Sequence, residues 1–89
     1  MDHYLVIKTH VDDKDDIRIS SKLFYKQIDA RIEYLTLIDE LKAQLSLLYR
    51  AAFGEFEIED YGDIIKTNNS YAFKDYDGLH NIKIELKRV

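Results

Sequence analysis

The chain has 89 residues, a net charge of −4, 46% apolar and 34% charged residues, which suits one domain with a modest core and excludes a disordered chain. It contains no cysteine, so disulfides, thiolate zinc sites and cysteine nucleophiles are excluded. It also contains no proline, and nothing marks a linker or an internal repeat, so residues 1–89 read as a single domain.

The N-terminal stretch MDHYLVIKTHVDD lacks a basic n-region and a long apolar run, so it reads as neither a signal peptide nor a membrane span. The expected location is therefore the cytoplasm. Residues 3–11 alternate, with Leu5, Ile7 and Val11 on one face and Tyr4, Lys8 and His10 on the other. That pattern predicts a half-buried strand with some apolar character on both sides. DDKDD at 12–16 makes a polar turn, and Ile17-Arg18-Ile19 pairs briefly after it.

From about 21 to 53 the spacing predicts one long amphipathic helix. Phe24, Ile28, Ile32, Leu35, Ile38, Leu41, Leu45, Leu48 and Ala52 recur at steps of three and four. Ser20 or Ser21 serves as N-cap and Gly54 as the residue just past the end. Beyond Gly54 the period switches to two: Phe56 and Ile58 alternate with Glu55, Glu57 and Glu59. A hairpin follows, 64–67 and 71–74 around Asn68-Asn69-Ser70, then a second turn at 75–78. A last strand places Ile82, Ile84 and Leu86 inward and Lys83, Glu85 and Lys87 outward. The expected fold is α+β, a two-layer sandwich with one long helix on a small, mostly antiparallel sheet of four to five strands.

A helix of this predicted length spans roughly 48 Å at ~1.5 Å per residue, whereas a domain of this size is about 30 Å across. Either the helix bends, or roughly a third of it overhangs the sheet, and an apolar overhang needs a partner. A second copy is the simplest one, with Leu41, Leu45, Leu48 and Tyr49 as the dimerisation surface.

No reaction is named by any motif. The phosphate loops fail because Gly54, Gly62 and Gly78 are scattered, and no serine sits in a nucleophile elbow. His3, His10 and His80 show no ligand spacing and read as rim residues. An EF-hand register with Gly78 at its sixth position loses the first and last ligands. No enzyme, cofactor or metal is expected, and an acidic chain without a basic run is not expected to bind nucleic acid directly.

The informative feature is local acid. Residues 54–63 hold Glu55, Glu57, Glu59, Asp60 and Asp63 with no Lys or Arg, and Asp12, Asp13, Asp15 and Asp16 form a second knot. On a strand, Glu55, Glu57 and Glu59 project from one face ~6.6–6.8 Å apart. A row of carboxylates so held imitates a phosphate backbone and suits a groove rich in Lys and Arg. Tyr61 beside it adds an aromatic anchor. In size, charge and architecture the chain resembles the small acidic inhibitors of phages and mobile elements, among them anti-CRISPR and anti-restriction proteins and other DNA mimics. The resemblance rests on no motif and transfers no residue role; it implies residence in a host cytoplasm. The expected function is a non-enzymatic binding protein that blocks a basic site on a nucleic-acid-handling protein. The alternative is a dimeric structural or assembly module working through the apolar face of its helix.

Overall fold

The computed structural model describes residues 3–12, 14–48, 61–76, 78 and 80–89, the side chain of Leu48 excepted. Strands β1 (Tyr4–Val11) and β2 (Ile17–Phe24) are followed by helix α1 (Gln27–Leu48) and by strands β3 (Gly62–Lys66), β4 (Ser70–Asp75) and β5 (Asn81–Arg88). The five strands form one sheet in the order β2-β1-β5-β4-β3, and every neighbouring pair is antiparallel. The fold is the expected α+β architecture, one helix packed on a small antiparallel sheet.

Two local turns set the pairing. Asp12 folds the first hairpin: its carboxylate accepts from the amides of Lys14 (2.9 Å) and Asp16 (3.1 Å), and Asp15 takes a left-handed φ of 59°. Asp and Asn tolerate that conformation better than other residues with a side chain. The second hairpin turns on Asn68 and Asn69, closed by Thr67 N–H donating to the Ser70 carbonyl at 2.9 Å. A further turn carries Gly78 at φ 72°. Gly62 has a different role. A Cβ there would stand 2.4 Å from the Lys74 carbonyl oxygen and 2.6 Å from the Phe73 ring, so only glycine lets β3 lie this close to β4.

The second strand is longer than the sequence suggests. Residues 21–24 continue β2 rather than opening the helix, because β2 pairs with β1 along its whole length, from Val11 opposite Ile17 to Tyr4 opposite Phe24. Ser20 and Ser21 are thus strand residues and cap nothing. The helix begins at Gln27, with Ala30 N–H donating to the Lys26 carbonyl at 3.2 Å. Its 22 residues measure about 33 Å at ~1.5 Å each, which removes the overhang argument for the described part. The expected strand around 55–59 and the helix end at 49–53 lie outside the described residues.

The core lies between α1 and the sheet. From the helix it takes Ala30, Tyr34, Ile38, Leu41 and Leu45; from the strands, Val6, Tyr71, Phe73, Ile82, Ile84 and Leu86. The helical set steps by four, four, three and four, the stripe that faces one side. Ile28, Ile32 and Leu35 belong to the opposite side and are exposed. The helix is therefore apolar on two faces, and a single apolar row read from the sequence mixes them.

The open sheet face as a candidate functional site

Only one side of the sheet carries the helix. The register places Tyr4, Val6, Lys8 and His10 of β1 on the helix side, with Ile82, Ile84 and Leu86 of β5. By strand alternation Leu5, Ile7, Thr9 and Val11 face the other way. On that far side β2 contributes Ile17, Ile19, Ser21 and Leu23, directly across from Val11, Thr9, Ile7 and Leu5. Ile17 is 63% exposed, Ile19 68% and Leu23 48%, while the β1 residues are half-buried. Among the described residues nothing covers them. A soluble domain rarely leaves contiguous apolar surface of this type without a use for it.

The remainder of the face is different. On β5, half-buried Glu85 lies between the exposed Lys83 (3.5 Å) and Lys87 (3.7 Å), ion pairs open enough to water to add little to stability. A shallow trough of about 340 Å³ crosses the face from Val11 of β1 through Asn81 and Ala72 to Ile65 of β3, flanked by Asp63, Lys74 and Lys83. The open face is thus an apolar half, β1–β2, joined by a trough to a charged half.

The residues singled out in the sequence divide unevenly over this structure. Glu55, Glu57, Glu59, Asp60, Asp13 and Tyr49 lie outside the described residues. Tyr61 is half-buried against the core, with its carbonyl accepting from Tyr76 N–H at 3.0 Å. Asp63 is exposed on β3, beside the trough. Asp12, Asp15 and Asp16 hold the first hairpin turn, and the two amides on the Asp12 carboxylate keep its pKa below the ordinary carboxylate range. The sheet brings these described acids to one end, since the β1–β2 turn, the start of β3 and the end of β4 share it. Leu41 and Leu45, at 0% and 1% exposure, pack into the monomer's own core and offer no surface to a second copy. The exposed helical apolar residues are Ile28, Ile32, Leu35 and Leu47 instead.

The sequence reading missed Ile17, Ile19 and Leu23 as one strand face. The signal was there, a period of two over IRISSKL, but Phe24 and Ile28 are four apart and drew the helix back over it.

The His10–His80 pair lies away from this face. His10 Nε2 and His80 Nδ1 are 3.0 Å apart on the helix side, in a cationic surround with Lys8 and Arg18. Burial lowers the His10 pKa, and the charges of His80, Lys8 and Arg18 lower it further against a small opposing pull from Asp12. Among the described residues no group of three or more His, Asp or Glu is placed to hold a metal ion. No described helix is long and apolar enough to cross a membrane.

Comparison with known proteins returns no matching family model, no matching curated protein and no matching solved structure, so the molecule's own surface is the whole basis for a functional reading.

Proposed function

We propose that this chain is a non-enzymatic binding protein whose working surface is the open face of β1 and β2. One observation carries the reading: Ile17, Ile19 and Leu23 stand exposed in a row on a rigid strand, backed by Leu5, Ile7 and Val11. Burying such a row against a partner yields roughly 25 cal/mol per Å² of apolar surface, and nothing within the described monomer collects it. An apolar centre with a charged margin (Lys83, Glu85, Lys87) is the ordinary anatomy of a protein-binding surface.

A second reading keeps the basic partner expected from the acidic segment. It is favoured by the gathering of Asp12, Asp15, Asp16 and Asp63, with Tyr61 and Tyr76, at one end of the sheet. In that reading the chain occupies a basic site on a nucleic-acid-handling protein, in the manner of the phage and mobile-element inhibitors it resembles.

The two readings part under salt. Partners retained from a lysate of the native host are compared for the natural chain, for Ile19→Lys with Leu23→Lys, and for Asp12→Lys with Asp63→Lys. Loss of the partner only in the first pair, with retention at high salt, is the expected result. Loss only in the second pair, together with release by salt, replaces the first reading by the second.

A further inference from the structure

The two edges of the sheet are built differently. β3 is five residues long and carries Asp63 and Lys66, which is how natural sheets blunt an edge. β2 is eight residues long, exposed over all but its last residue, and contains no glycine or proline. Its two charges, Arg18 and Lys22, lie opposite His10 and Val6 and so point to the helix side.

The hydrogen-bond parity of β2 can be followed from both ends of β1. His3 and Val89 exchange both of their backbone bonds (3.2 and 2.8 Å), so odd-numbered residues of β1 bond to β5. Asp12 N–H donates to the Asp16 carbonyl (3.2 Å), so even-numbered residues of β1 bond to even-numbered residues of β2. The N–H and C=O groups of Ile17, Ile19, Ser21 and Leu23 therefore point off the edge of the sheet. The residues that present the apolar row also present a complete set of strand-pairing groups.

We propose that a second copy of this chain adds to the edge of β2, which no other described strand pairs, antiparallel and about a two-fold axis at Ser21, joining two five-stranded sheets into one. Odd must face odd for the parity above to be met, which leaves registers centred on a single residue. Centring on Ser20 sets Arg18 against Lys22 of the partner copy, and like charges directly opposite repel. Centring on Ser21 overlaps the strand equally far. It sets Ile19 against Leu23, Ser20 against Lys22, and Arg18 against the ring of Phe24. The two helices then lie on one side of the joined sheet. The apolar rows of both copies form one continuous floor on the other, across the two-fold axis. This deepens the binding reading above and rests on it in one respect: the floor is offered as the surface a partner meets, and it is complete only in the pair.

The test needs no knowledge of that partner. Sedimentation of the full chain from low to high micromolar concentration is combined with residue-resolved amide exchange. The expected result is a species of twice the 10.6 kDa chain mass. In it Ile19, Ser21 and Leu23 exchange slowly when concentrated and rapidly on dilution, whereas Arg18, Ser20 and Lys22 stay protected throughout. Ser21→Pro removes only an outward N–H and gives a monomer with an unchanged circular dichroism spectrum. A chain that sediments as a monomer throughout, or a dimer whose odd-numbered β2 amides stay fast, overturns the pairing. A monomer that still loses its partner on Ile19→Lys with Leu23→Lys removes the pairing and leaves the binding reading. A variant that dimerises and keeps its partner removes the binding reading alone.

Discussion

His10 shows what position on the sheet does to a side chain. Its ring lies half-buried on the helix side, hydrogen-bonded to His80, with Lys8 and Arg18 as further positive neighbours. Both burial and like charge disfavour its protonation, so in the folded state the group titrates below its ordinary value of 6.5. In the unfolded chain those neighbours disperse and the proton binds more readily. Unfolding therefore takes up protons in this range, and stability rises with pH. The contribution is intact above about pH 6.5 and is lost as pH falls below it toward the folded pKa. Denaturant unfolding at a series of pH values should show that loss in the natural chain and a flatter profile in His10→Gln. Equal slopes in the two would mean that the imidazole is no less basic in the folded protein.

Among the elements, the helix is held by its core stripe and by one clamp. Arg31 donates to the Asn68 carbonyl (2.5 Å) and to Asn69 Oδ1 (2.7 Å), and its guanidinium lies 5.5 Å from the centre of the Tyr34 ring. It thus ties the first turns of α1 to the β3–β4 hairpin, whose Asn69 carbonyl also accepts from Leu86 N–H at 2.8 Å. Arg31→Ala should cost about 1 kcal/mol, below the usual range for charged hydrogen bonds because the site is open to water. Arg31→Lys, which cannot fork between two acceptors, should recover less than half of it. Urea melts of both variants would decide. Much of this level was legible in the sequence: the Asn68-Asn69 turn, the β5 alternation and the antiparallel order follow from period and turn chemistry. The β2–α1 boundary was not. Ile28, Ile32 and Leu35 continue the helical spacing of Phe24 although they face water, and Ala30 and Tyr34, which carry the true core stripe, do not stand out as apolar. A one-dimensional pattern cannot say which of two apolar faces meets the sheet. For the same reason Leu41 and Leu45 read as available to a second copy when they fill the monomer's own interior.

For the whole molecule the decisive fact is that two layers enclose one core. The described residues extend 49 × 28 × 18 Å, and the short dimension is a helix on a sheet whose far side no other described residue covers. Side chains on that side add little to folding. Ile19→Thr should accordingly shift the unfolding free energy by no more than about 0.5 kcal/mol, whereas Phe73→Ala, at the centre of the core, should cost ~3–5 kcal/mol. Calorimetry of the two variants checks the contrast, and a comparable loss in Ile19→Thr would mean that the face is already covered.

A one-sided fold of this kind couples melting to occupancy. Whatever settles on the bare side binds the native chain and not the unfolded one, so it lifts the transition temperature in proportion to the logarithm of its concentration. Heat resistance then becomes an assay in its own right, able to rank candidate companions, peptides or salts before any biological role has been assigned.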